Sequence, residues 1–162
     1  MTTSPPDLKF MLAHPAHFIA LGFGSGLAPK APGTFGTLVG FPVFFLLRRL
    51  APGTPGLVAL LIAGFIIGIW ASACTGRALG VADHGAIVCD EIVAFALVLA
   101  FTPVSWLWFG IAFAAFRLFD ILKPWPIRQF DKHLKNGFGV MFDDLLAAGY
   151  ALAVIKGLQW LV

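Results

Sequence analysis

Apolar runs separated by short charged clusters make up most of this chain. The stretch from Leu50 to Gly76 carries no charged side chain, and its central part, Leu57 to Ala73, approaches the roughly 20 apolar residues that cross the hydrocarbon layer of a bilayer. A shorter apolar run, Thr37 to Leu47, precedes it, and residues 51–56 between the two are rich in proline and glycine. The pattern predicts two membrane helices that form a hairpin.

The next uncharged run, Ile92 to Phe116, is long enough for one tilted crossing, but Thr102-Pro103 lies near its middle. Proline inside a helix removes a backbone hydrogen bond and favours a break at that point. A single crossing would also separate Asp90 and Glu91 from Asp120 by the thickness of the membrane, so that one site could not use all three. We therefore predict two short helices that enter and leave on the same side.

A final apolar run, Leu145 to Ile155, predicts a last helix, with Lys156 and Trp160 suited to the membrane interface. No segment shows the alternation of a barrel strand, so the predicted fold is all-α, a multi-pass integral membrane helical bundle with short or re-entrant helices. The length of 162 residues favours a single domain, residues 1–162.

Composition supports the same class, because 59% of the residues are hydrophobic and only 12% are charged. The formal charge is +3, and the basic residues stand at the ends of apolar runs, which favours anionic phospholipid over nucleic acid as a binding partner. Cys74 and Cys89 form no C-x-x-C motif and are predicted to be buried free thiols. Residues 1–9 lack the features of a cleaved secretory signal, so we expect the N-terminus to be retained.

The acidic residues are concentrated, since seven of the eight lie in one part of the chain. A carboxylate at the centre of a bilayer costs about 2.5 to 3.5 kcal/mol on insertion scales, so such a cluster is expected to have a function. Carboxylates that hold a divalent cation, together with cations that hold phosphate oxygens, are what a metal-assisted phosphoryl site requires. The acidic residues are Asp83, Asp90, Glu91, Asp120, Asp131, Asp143 and Asp144, and Arg117, Lys123 and Arg128 interleave with them.

Two acidic pairs are predicted to lie at helix starts. A helix that begins near Ile87 would carry Asp90 and Glu91 in its first turns, and the pair Asp143-Asp144 would open a later helix. Adjacent helix residues point about 100° apart, so one carboxylate of a pair can bind a metal directly while the other acts from the side. The alternative is a solvated helix start stabilised by the helix dipole.

A second charged segment contains pairs at helical spacing. Arg117 and Asp120, three residues apart, predict an ion pair within one helix, and Arg128 and Asp131 repeat the spacing on the next. A bend with two prolines separates the pairs and places Lys123 at the membrane interface.

The glycine-rich segment 22–37 can turn several backbone N–H groups toward a phosphate, with Lys30 and Thr34 as candidate phosphate-binding side chains. It is not a nucleotide-binding Walker motif, because alanine follows Lys30. Close helix packing through small residues, as in Gly36-x-x-x-Gly40, is an equally good interpretation, and Thr34 is also a candidate helix cap.

Several other chemistries are excluded by the sequence. Neither cysteine has an arginine five residues later, so a cysteine phosphatase is excluded, and the D-x-D-x-T signature of aspartyl-phosphate phosphatases is absent. The chain also lacks the Asp-Gly followed by Ala-Arg that an alcohol-phosphate transferase needs. A small membrane transporter with buried charges is the main alternative, but the charges gather at helix ends and loops. Direct attack on the phosphate by a metal-activated water is the mechanism that the sequence does not exclude.

Five motifs together closely resemble bacterial phosphatidylglycerophosphatase A, over about Leu21 to Tyr150. They are G-F-G-S-G-L-A-P, P-G-T-F-G-T, D-H-G-x-I-V-x-D-E, R-x-x-D-x-x-K-P-W-P-I-R-x-x-D and G-x-G-V-M-x-D-D. The resemblance implies a multi-pass enzyme of the bacterial inner membrane, a phosphoric monoester hydrolase. It would use Mg²⁺ to convert phosphatidylglycerophosphate into phosphatidylglycerol and inorganic phosphate. More basic residues lie on the side of the predicted site than at the opposite turn, and this positive-inside bias predicts an active site on the cytoplasmic face.

The residues of the candidate site are predicted to share three tasks. Mg²⁺ would be held by Asp90 or Glu91 with Asp120 and one of the last acidic pair, so the candidate metal ligands are Asp90, Glu91, Asp120, Asp143 and Asp144. The candidate phosphate-binding residues are Lys30, Thr34, Arg117, Lys123 and Arg128. The candidate catalytic residues are Asp83, His84 and Asp131, with His84 as the acid for the leaving glycerol oxygen.

Overall fold

The computed structural model describes residues 5–161, and within that range the chain is helical with no β-strand, which confirms the all-α prediction. A 3₁₀ segment at Gly22–Leu27 separates the second and third helices. The helices are α1 (Leu8–Leu12), α2 (Pro15–Ala20), α3 (Pro32–Leu50), α4 (Thr54–Leu79), α5 (Cys89–Ala100), α6 (Trp106–Leu122), α7 (Ile127–His133) and α8 (Gly137–Leu161).

Three helices, α3, α4 and α8, are long and apolar enough to cross a membrane. The predicted hairpin of α3 and α4 is present, although α3 begins at Pro32, five residues before the apolar run. Proline is favoured in the first helical turn because its missing N–H would have no helical partner there. The longest helix, α4, has 26 residues, or about 39 Å, and therefore exceeds a hydrocarbon core of roughly 30 Å.

The α5–α6 hairpin predicted from the proline at 103 is also present, but α6 is longer than the predicted short helix, since it has 17 residues, or about 26 Å. Helix α5 has 12 residues, or about 18 Å, which is well short of a full crossing. It ends where the Thr102 hydroxyl donates a 2.7 Å hydrogen bond to the Val98 carbonyl, and the chain turns before α6 begins. The start of α5 and the end of α6 therefore lie at the same end of the bundle.

Helix α8 corrects the prediction for the last helix. It begins at Gly137 and not at Leu145, so Asp143 and Asp144 lie inside the helix and not at its start. Glycine has a low helix propensity, so Gly137 and Gly139 favour a loop by local preference. Tertiary packing overrides this preference, because α8 lies so close to α4 that a side chain at Gly137 would collide with Ala73. Asn136 accepts a 2.9 Å hydrogen bond from the Gly139 N–H and begins the helix.

Helix α5 lies at the centre of the bundle and packs against α3, α4 and α8. Its core residues include Phe95 and Val98, which are fully buried. Helix α3 approaches closely because two of its contact positions are glycines; a Cβ atom at Gly36 would lie 2.7 Å from the Val88 Cβ, and one at Gly40 would lie 2.9 Å from the Phe95 ring. This part of the glycine-rich segment therefore serves helix packing.

The N-terminal part of the chain braces the loop that leads into α5. The Val88 N–H donates a 2.8 Å hydrogen bond to the Ala20 carbonyl at the end of α2. The following 3₁₀ segment has no room for a side chain at Gly26, which lies against the Ala86 carbonyl. Both contacts position the first turn of α5, where the acidic pair begins.

Both cysteines are free. Cys89 is buried and its thiol lies 3.3 Å from the Ser72 hydroxyl, whereas Cys74 is only half-buried. The prediction of free thiols is confirmed, and the prediction of burial is confirmed for Cys89 alone.

Candidate active site

Three carboxylates from two helices converge at one end of the bundle. Asp90 and Glu91 come from the first turn of α5, and Asp144 comes from the second turn of α8. One oxygen of each lies within 4.8 Å of the other two. Asp90 and Asp144 are only 8% and 3% exposed, so their charges are poorly solvated.

This carboxylate cluster fits a hard divalent cation. Asp90 Oδ1, Glu91 Oε2 and Asp144 Oδ2 are buried and have no hydrogen-bond partner among the described residues. Unpaired buried carboxylate oxygens are costly, and three of them close together also repel one another. A cation with a preference for oxygen ligands, such as Mg²⁺, would satisfy all three, since carboxylates are its usual protein ligands.

Arg117 forms one wall of the cluster. Its guanidinium pairs with Asp120, as the spacing predicts, and one nitrogen lies 3.8 Å from Glu91 Oε1. The same nitrogen lies 3.5 Å from the hydroxyl of Thr37, a fully buried residue of α3 that donates to the Gly33 carbonyl. The buried Nε atom of Arg117 has no hydrogen-bond partner within residues 5–161, so the guanidinium retains a free donor there.

The start of α3 also packs on the cluster. A Cβ atom at Gly33 would collide with Glu91 Oε1 and would lie 3.2 Å from the Arg117 guanidinium. A glycine at this position therefore lets the first turn of α3 approach the cluster, and any side chain would displace Glu91 or Arg117.

Lys123 lies at the edge of the cluster, where it pairs with Asp143, the neighbour of Asp144. It ends α6 in a left-handed conformation with φ of 42°, and its ammonium pairs with Asp143 and lies 3.3 Å from Asp131 Oδ1. Burial opposes the charged ammonium, but the Asp143 and Asp131 carboxylates outweigh it and raise the pKa of Lys123 above its ordinary value. Burial likewise opposes the Asp131 carboxylate, but Lys123 and Lys135 together lower the pKa of Asp131. Both groups are therefore charged at neutral pH.

The sequence profile of a family described as Phosphatidylglycerophosphatase A matches residues 18–159. The chain belongs to the phosphatidylglycerophosphatase A family. This confirms the family, and with it the enzyme class of phosphoric monoester hydrolase, that the motifs predict.

The chain is 47% identical to the phosphatidylglycerophosphatase A of Haemophilus influenzae over 99% of its own length and 98% of the relative's. It is 38% identical to the Escherichia coli phosphatidylglycerophosphatase A, over 91% of this chain and 85% of the relative. A Bacteroides thetaiotaomicron protein provisionally named a phosphatidylinositol-3-phosphatase is also 38% identical, over 89% and 93%. No solved structure matches the chain.

Of the five predicted metal ligands, the structure brings together Asp90, Glu91 and Asp144. Asp120 and Asp143 lie beside the cluster, and each carboxylate is paired with a cation, Arg117 for the first and Lys123 for the second. Asp83 is more peripheral, since its side chain is 39% exposed and lies 3.8 Å from Lys135.

The other predicted residues have distinct surroundings. The half-buried His84 accepts a 3.1 Å hydrogen bond at Nδ1 from the Ala86 N–H, whereas Lys30 is exposed. The predicted pair of Arg128 with Asp131 is wrong, because Asp131 turns toward Lys123 and Lys135.

Sequence reasoning missed Thr37 and Gly33 as contacts of the site. Both lie in the glycine-rich segment, where helical spacing could have signalled them: Gly33, Thr37 and Gly40 lie at intervals of four and three residues and share one helix face. That face is the one α3 presents to Glu91, Arg117 and the core of α5.

Proposed function

We propose that this enzyme hydrolyses the terminal phosphomonoester of phosphatidylglycerophosphate in a Mg²⁺-dependent reaction that yields phosphatidylglycerol and inorganic phosphate. The substrate is suggested by the names of the two phosphatidylglycerophosphatase A relatives. The observation that carries the metal requirement is the cluster of Asp90, Glu91 and Asp144, with one unpaired buried oxygen on each.

In this proposal Asp90, Glu91 and Asp144 hold the metal. When bound, Mg²⁺ would supply the positive charge that polarises a phosphate oxygen and makes a water molecule more acidic. Arg117 orients the phosphate through its free Nε donor, and Asp120 holds the guanidinium in place.

Lys123 adds a second cation at the phosphate, and Asp143 and Asp131 fix its ammonium. His84 is the proposed acid for the leaving glycerol oxygen. Its Nδ1 accepts the Ala86 N–H, so the neutral ring carries its proton on Nε2, the nitrogen left free to donate. Lys30, Thr34, Arg128 and Asp83 remain candidate residues of the site.

Removal of the metal tests this function. We expect purified protein to release phosphate from phosphatidylglycerophosphate, to lose that activity in excess EDTA, and to regain it when Mg²⁺ is added in excess of the chelator. Because the metal binds only the folded state, Mg²⁺ should also raise the melting temperature. Full turnover in excess EDTA would remove the metal from the proposal, and release of no phosphate from the lipid would contradict the substrate.

We propose further that the protein lies in the bacterial inner membrane with its active site on the cytoplasmic face. Loops on the cytoplasmic side of membrane proteins carry more Lys and Arg, and the basic residues gather at the end of the bundle that holds the carboxylate cluster. They are Lys30, Arg77, Arg117, Lys123, Arg128, Lys132 and Lys135, whereas the opposite turn between α3 and α4 follows Arg48 and Arg49.

Cysteine labelling tests this orientation. In a variant that lacks both native cysteines, a cysteine in place of Lys132 should resist a membrane-impermeant thiol reagent in intact cells and react after permeabilisation. A cysteine in place of Gly53, in the opposite turn, should react in intact cells and serves as the matched control. The reverse pattern would invert the orientation.

A further inference from the structure

A basic groove is lined in part by Lys123, whose ammonium pairs with Asp143 at the edge of the carboxylate cluster. It has a volume of about 570 Å³. The side chains that matter for its chemistry are Lys123, Trp125, Arg128, Gln129 and Lys132, which come from the end of α6, the proline bend and one face of α7.

Two cations of the basic groove have no carboxylate partner. Arg128 and Lys132 are four residues apart on α7, so they share a helix face, and neither forms an ion pair with any residue in the range 5–161. Asp131 on the same helix faces Lys123 and Lys135 instead. The groove therefore carries two positive charges that no carboxylate within residues 5–161 neutralises, whereas Lys123 beside them is paired. This arrangement favours an anionic ligand.

The position of the groove suggests that the anion belongs to a lipid. Trp125 lies at the edge of the groove, and its side chain is 73% exposed. Its backbone is held by a 2.8 Å hydrogen bond that the Tyr150 hydroxyl donates to the Trp125 carbonyl. Ile121 and Leu122, at the end of α6, are exposed beside it. An exposed indole between apolar side chains and cations is typical of the level of phospholipid head groups.

Lys123 connects the basic groove with the carboxylate cluster. Its side chain lines the groove, while its ammonium lies on Asp143 and Asp131 at the edge of the cluster. A ligand with two phosphate groups could therefore place one at the cluster and the other in the groove.

We propose that the basic groove binds the phosphodiester of the substrate lipid while its terminal phosphomonoester occupies the carboxylate cluster. This inference rests on the proposed function and extends it. Arg128 and Lys132 then determine specificity, because they select lipids that carry both a phosphodiester and a terminal phosphate. Phosphatidic acid, which has a phosphomonoester and no phosphodiester, cannot use both sites.

A kinetic comparison tests the role of the two cations. Purified protein in neutral detergent is assayed with dioctanoyl phosphatidylglycerophosphate, so that no anionic bilayer contributes. We expect Arg128→Gln and Lys132→Gln each to raise KM by about tenfold with little change in kcat. Arg77→Gln, which removes another exposed arginine at the same end of the bundle, is the matched control and should leave KM unchanged. An unchanged KM in both groove variants, or an equal rise in the control, overturns the proposal.

Product inhibition identifies which phosphate the groove binds. Dioctanoyl phosphatidylglycerol carries only the phosphodiester, whereas inorganic phosphate corresponds to the released group. Arg128→Gln should raise the inhibition constant of dioctanoyl phosphatidylglycerol about tenfold and leave that of inorganic phosphate unchanged. If only the constant for inorganic phosphate rises, Arg128 acts at the phosphomonoester and the proposal is wrong.

Direct binding separates this proposal from the proposed function, because it requires no turnover. Dioctanoyl phosphatidylglycerol should bind wild-type protein about tenfold more tightly than it binds Arg128→Gln, and dioctanoylglycerol, which lacks phosphate, should show no such difference. If wild-type protein releases no phosphate from phosphatidylglycerophosphate, the proposed function fails, and this binding difference still supports the groove. Equal binding of phosphatidylglycerol by both proteins overturns the groove whatever the activity.

Discussion

Asp90→Asn is expected to lower kcat about a thousandfold and, at the same time, to raise the melting temperature of the metal-free protein. The substitution keeps the shape of the side chain but removes one of the three negative charges that would hold the metal. Without a metal those buried charges repel one another, so removal of one should stabilise the fold by about 1–2 kcal/mol, as is common where function conflicts with stability.

Phosphate release and thermal unfolding, each with and without Mg²⁺, measure both effects of Asp90→Asn. The variant should also lose most of the stabilisation by Mg²⁺ that the wild-type protein shows. Asp7→Asn, at the exposed cap of α1, is the control and should keep wild-type activity. Near wild-type turnover in Asp90→Asn, or a fall in its metal-free melting temperature, would show that Asp90 is a structural carboxylate.

Lys123→Gln is expected to destabilise the protein by about 3–5 kcal/mol and to reduce activity strongly, because it leaves a buried carboxylate without its cation. Asp143 is 6% exposed at its side chain and pairs with Lys123, which also contacts Asp131. Truncation of one partner of such a pair costs more than the pair itself contributes, since the remaining charge stays desolvated.

A double substitution separates the structural role of Lys123 from its catalytic role. In Lys123→Gln/Asp143→Asn the unpaired charge is gone, so most of the stability should return, whereas activity should stay low because the cation at the phosphate is still missing. Thermal unfolding and phosphate release on the same preparations measure the two outcomes. Recovery of activity together with stability would show that Lys123 serves the fold alone.

The α5–α6 hairpin was predictable because a strong physical constraint acts on the sequence. Carboxylates on both sides of the run from Ile92 to Phe116 cannot serve one site across a membrane, and the proline at 103 marks the turn. The cost of charge in hydrocarbon thus determines a tertiary feature that short-range propensity alone would leave open.

The start of α8 was not predictable in the same way. Glycines at positions 137 and 139 have low helix propensity, and only the close approach of α4 and of the Leu134 backbone explains why glycine stands there in a helix. Similarly, the spacing of Arg128 and Asp131 allows an ion pair, but Asp131 turns to Lys123 and Lys135, which the fold brings near it.

The sequence by itself determined the helical membrane class, the hairpins, the family and the set of charged residues from which the site is built, because these depend on apolar length, on the cost of buried charge and on motifs. Only the tertiary structure decided which charges meet. Asp90, Glu91 and Asp144 converge, while Asp120 and Asp143 face cations. That choice depends on how α5, α6 and α8 are rotated about their axes, and this rotation is set by packing between helices that are distant in sequence.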